Sequence, residues 1–159
     1  MSIDHIIPNL INQTTWHVSA GPGNGSMILM YLGARIPRKR PRHIPASEPD
    51  RFMGEYSIFI EGCSWRLLLG EDVLGGSAES PHKIFEITNP IKDATITSIS
   101  AGHHPLDLAI RFSSGHILQL FCDITAEKDM DNYSVGSPEG TWIVGPSFNL
   151  RFEPAAHGA

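Results

Sequence analysis

The stretch from Leu106 to Cys122, LDLAIRFSSGHILQLFC, alternates apolar and polar residues twice over, with SSG in between. On the first leg Leu106, Leu108, Ile110 and Phe112 share one parity, and Asp107, Ala109 and Arg111 take the other. On the second leg Leu118, Leu120 and Cys122 share a parity. A period of two marks a strand with one buried face. Register then decides the loop length. A two-residue loop at Ser114-Gly115 would set Ile110 against Gln119 and Leu106 against Asp123. A three-residue loop, Ser113 to Gly115, sets Phe112 against His116, Ile110 against Leu118, Leu108 against Leu120 and Leu106 against Cys122. Only the second keeps the buried face apolar. It also puts glycine at the third loop position, where the backbone turns left-handed. The sequence therefore predicts a hairpin of residues 106–112 and 116–122.

The hairpin separates the histidines of this region. His116 opens the second strand beside Phe112. His103 and His104, in AGHHP, lie at the far end of the first. Seven extended residues span roughly 23 Å, so His103 and His104 do not share a site with His116.

Similar patterning runs through the chain. TTWHVSA and SMILMYLG read as strands around GPGNG. GEYSIFIEGCSWRLLLG alternates through Tyr56, Ile58 and Ile60, with Gly62 as a bulge or bend between two strand-like runs. DATITSISA reads as a strand, and NYSVGSPEGTWIVGPSFNLRFEP as three short ones. The one helix expected is short, near Asp4–Asn12 and limited by Pro8. About eight to ten short strands predict an all-β antiparallel sandwich or partly closed barrel. At 159 residues the chain fits one domain, residues 1–159, with a flexible tail from about residue 154. A chain this long buries about 68–70% of its unfolded surface and needs no staple.

The N-terminal MSIDHIIPNLINQTTW has no basic lead-in, and Pro8 and Asn9 break its only apolar run. It does not read as an export signal. No apolar run approaches the roughly 18 residues of a membrane-spanning helix. A cytoplasmic, reducing setting is expected, with Cys63 and Cys122 as free core thiols.

Common chemistries find little support. GPGNGS, Gly21 to Ser26, lacks the following helix that aims amides at a phosphate. The cluster of His103, His104 and Asp107 falls short of a zinc ligand pattern, and HExxH, CxxC and HxH are absent. There is no GxSxG elbow, and nothing local would lower the Cys63 thiol pKa. Glu71 and Asp72 read as a solvated turn. No catalytic residue, metal or cofactor is assigned.

Charge is more telling. The net charge is −5, which gives no pull toward nucleic acid or anionic membrane. Yet RIPRKRPRHIPASEPDR, Arg35 to Arg51, holds six of the twelve Lys and Arg beside only Glu48 and Asp50. Prolines at 37, 41, 45 and 49 favour an exposed, irregular loop over helix or central strand. Arg38, Lys39 and Arg40 are its candidate contacts. The acidic DITAEKDMD, Asp123 to Asp131, could dock this loop within the molecule or between subunits. A second candidate group is Trp65 and Arg66 with the loop histidines His103 and His104.

The order TTWHVSAGPGNGSMILMYLGARI, GEYSIFIEGCSWRL, DLAIRFSSGHILQLF and GTWIVGPSFNLRFE resembles a family of small bacterial all-β proteins, a domain of unknown function. The likeness covers most of the chain. Where that family carries Trp before the apolar strand, this chain has Tyr56. The family attaches no catalytic residues, and it is loosely similar to immunity proteins of toxin systems. The resemblance implies a non-catalytic protein-binding module, with the other protein as partner and self-association open. The alternative is a small-ligand-binding sandwich or an enzyme with a pocket near Trp65 and Arg66. A deep apolar pocket would favour the alternative, and a filled core with an exposed patch the module.

Overall fold

The computed structural model describes residues 2–39, 51–102, 104–123 and 130–156. Among them eleven strands form two antiparallel sheets. The strands are β1 (Thr15–Gly21), β2 (Gly25–Pro37), β3 (Phe52–Ile60), β4 (Ser64–Leu69), β5 (Asp72–Gly76), β6 (Ile96–Ala101), β7 (Leu108–Phe112), β8 (His116–Phe121), β9 (Tyr133–Ser137), β10 (Gly140–Val144) and β11 (Leu150–Pro154). One sheet runs β1-β2-β3-β9-β10-β11 and the other β5-β4-β8-β7-β6. Both are open, so the architecture is a sandwich and not a closed barrel.

Alternation explains the packing. Ile28, Met30 and Leu32 of β2 pair with Ile60, Ile58 and Tyr56 of β3. Trp65 and Leu67 of β4 pair with Leu120 and Leu118 of β8, and Leu118 also faces Ile110 of β7. These side chains meet in one buried cluster drawn from both sheets. The β7–β8 hairpin has the register read from the sequence, Leu108 against Leu120 and Ile110 against Leu118. Its three-residue loop closes with Gly115 N–H donating to Phe112 O at 3.0 Å. Gly115 has φ 88°, in the region most side chains avoid.

Several expectations are corrected. A second helix, α2 (Pro81–Thr88), follows α1 (Ile7–Leu10) in the chain. It packs against β1 and β5 and buries Ile84 and Ile87 in the core. Ser80 caps it, accepting Lys83 N–H at 3.3 Å, and Pro81 takes the first turn, where its missing N–H costs nothing. In α1, Pro8 likewise lies in the opening turn, so it starts the helix that the sequence reading had it limit. β5 begins at Asp72, where only a solvated turn was expected. Gly62 is the expected bend, and it falls at the corner where the chain leaves β3 in one sheet for β4 in the other. Its N–H donates to Asp131 O at 2.8 Å, an approach a side chain would crowd.

The basic segment also differs at its ends. Arg35, Ile36 and Pro37 belong to β2 and pair with Gly54, Met53 and Phe52 of β3. Pro37 is tolerated there because it terminates the strand. Arg38 continues the ribbon, its N–H donating to Arg51 O at 2.9 Å. The rest of the expected loop, residues 40–50, lies outside the described residues. At the C-terminus Ala155 N–H still donates to Glu139 O at 2.9 Å, one residue beyond the expected start of the tail.

Candidate functional site

The outer face of the five-stranded sheet carries the side chains of the parity that the core rejects. Three registered rows cross it. One reads Gly76, Arg66, Gln119, Ala109, Ser100 across β5, β4, β8, β7 and β6. The next reads Val73, Leu68, Ile117, Arg111, Ser98. The third joins Ser64 to Phe121. Ala109 is the small residue at the centre, and around it lies a hollow of about 490 Å3. The connection between β6 and β7 bounds one end through Gly102 and Asp107.

Two cations lean over this hollow. The Arg66 guanidinium lies 5.3 Å from the centre of the Phe121 ring, a cation–π contact. Arg111 Nη1 donates to Ser100 Oγ at 3.0 Å. No carboxylate pairs with either among the described residues. Asp107 is the acid at the rim, and its Oδ1 accepts Cys122 N–H at 2.8 Å. Gln119 Oε1 is buried without a hydrogen-bond partner among the described residues. Val73 and Phe121 are exposed at 59% and 39%, so the face presents apolar surface beside its two arginines.

The residues singled out from the sequence fare differently. Arg66 is on this face. Trp65 is not: it is 2% exposed, and its indole N–H donates to Ser26 O at 2.7 Å across the sandwich. Adjacent strand side chains point to opposite faces, so the Trp65 indole stays in the core, yet Trp65 and Arg66 together border a shallow hollow of about 280 Å3 beside β5, with Val73, Gly75, Gly76 and Glu79. His104 stacks on Phe148 with ring centres 3.5 Å apart, and its Nδ1 accepts Leu106 N–H at 3.1 Å. That makes it a brace for the loop. Arg38 is engaged as well, donating from Nε to Phe52 O at 3.2 Å and from Nη2 to Tyr31 Oη. Lys39 is exposed next to it. His103 and Arg40 lie outside the described residues.

The acidic segment does not meet the basic one at Asp131. That carboxylate holds Arg151 in a two-pronged pair at 3.0 Å on each prong. It raises the Arg151 pKa, chiefly through the hydrogen bond. Residues 124–129 lie outside the described residues. Cys63, expected as a core thiol, is buried, and burial above all pushes its thiol up to about 12. Such a thiol stays protonated, and only the thiolate attacks.

Sequence reasoning missed Arg111, Gln119, Ala109 and Ser100. The signal for the first three was present in the hairpin register, which places them on the outward parity together. Ser100 and Arg66 join them only through strand order. No family model, curated protein or solved structure matches this chain.

Proposed function

We propose that this chain is a non-catalytic protein-binding module whose docking surface is the outer face of the β5-β4-β8-β7-β6 sheet. One observation carries the reading. The facing sides of the two sheets close into a single buried cluster, while this outer face keeps Val73 and Phe121 exposed beside two arginines that no described carboxylate pairs. Exposed apolar surface with a polar rim is the usual composition of a protein interface, and arginine is enriched there. The finer assignment, a bacterial, cytoplasmic protein of immunity type, is supported by the family resemblance and by two free thiols.

Small-ligand binding is the second reading, favoured by a hollow whose size falls in the range of ligand pockets. Native mass spectrometry of the tagged protein, gently isolated from its source cells, separates the two. The module reading expects a protein-sized, stoichiometric mass increment that disappears in Val73→Glu/Phe121→Glu with the melting temperature kept. An increment of small-molecule size in its place would favour the second reading, and the bare chain alone would contradict the first.

A further inference from the structure

We propose that the hollow over Ala109 receives an acidic side chain from an extended segment of the partner protein, the carboxylate held by Arg66 and Arg111. The inference rests on the docking reading and adds the chemistry of what docks.

Charge comes first. The chain carries −5 overall, yet this face offers two guanidiniums with no described carboxylate on either. Asp107, the acid at the rim, already accepts a backbone N–H. Guanidinium and carboxylate match in planar, two-pronged geometry. Arg66 and Arg111 stand on strands two spacings apart, about 10 Å. Arg66 leans toward Phe121, and Arg111 leans along β7 to Ser100, so both heads incline to the Gly102 end of the face. Contacts that hold a long side chain in place reduce the entropy it loses on binding.

The second observation is extent. Val73, Leu68 and Ile117 form an apolar row directly beside the hollow. Its occupant therefore has more to bury than a small carboxylate can reach.

The test is a titration of the full-length, nitrogen-15-labelled protein followed by NMR, with capped hexaglutamate, capped hexaglutamine and free glutarate as probes. Hexaglutamate should move the Arg66 and Arg111 Nε–H signals and the Gln119 side-chain amide. Hexaglutamine should move none of them, and glutarate should bind far more weakly than hexaglutamate. R66Q/R111Q should weaken hexaglutamate by about tenfold or more at an unchanged melting temperature. Ala109→Leu, which fills the floor without altering charge, should weaken it as well. Unmoved signals, or affinity indifferent to these variants, would overturn the proposal. Glutarate binding as tightly as hexaglutamate would overturn the peptide occupant and assign the hollow to small carboxylates. If the native protein-sized increment survives in R66Q/R111Q, the docking reading stands and this inference fails. If the wild type shows no such increment, the docking reading itself has failed.

Discussion

His116 sits beside the β7–β8 turn with its side chain buried and Ser114 Oγ 2.8 Å from Nδ1. Burial lowers its pKa from the ordinary 6.5. The unfolded chain therefore binds a proton more readily than the folded one, and stability rises with pH across this range. The contribution is complete above about 6.5 and is lost as pH falls through the lower folded value. Denaturant midpoints measured from about pH 8 down to pH 5 should fall in the wild type and fall less in His116→Gln. Equal slopes would mean that His116 titrates normally. The thiols make a second expectation at this scale. Cys63 is held near 12, and Cys122 is raised too, by burial first and then by Cys63. Iodoacetamide at mildly alkaline pH should label neither cysteine quickly in the native protein and both in urea. Rapid labelling of native Cys63 would contradict its burial.

Among the elements, the β7–β8 hairpin was the most legible, because a wrong register would have buried Gln119 and Asp123. Replacing Gly115 by Val should cost about 1 kcal/mol or more in urea unfolding. The nearest atom to an added Cβ there is Leu69 Cδ1 at 3.4 Å, so the cost is one of backbone conformation, not crowding. α2 was not legible by periodicity, since eight residues give little more than two turns. Its signal was the dipeptide Ser80-Pro81, cap and first turn. Ser80→Ala should destabilise by about 1 kcal/mol. β2 outran its reading because Gly33 and the prolines looked like a stop. A register shift between Leu32 and Arg35 absorbs that irregularity, and β3 pairing resumes from Arg35 to Pro37. Arg38 then binds Tyr31 and Phe52, so Arg38→Ser should lower stability by up to about 1 kcal/mol. An unchanged denaturant midpoint would show that those bonds contribute nothing.

At the scale of the whole molecule, inward and outward parity can be read along each strand, but strand order cannot. β4 lies beside β8 across a long stretch of chain, and this pairing alone places Arg66 next to Gln119. No local pattern encodes it. The sequence could thus nominate Arg66 but not the row it joins, and the Trp65 it was grouped with turns its side chain into the core. The central claim is that the outer face of the five-stranded sheet is the working surface. A photo-crosslinking amino acid placed at Ile117, on that face, and separately at Thr141, on the outward parity of the six-stranded sheet, tests this most directly in living cells. The account predicts one discrete protein adduct from Ile117, none from Thr141, and loss of the Ile117 adduct when Arg66 and Arg111 are changed to Glu. An Ile117 adduct that survives the double charge reversal would overturn only the role given to the two arginines; an adduct from Thr141 with none from Ile117 would contradict the account.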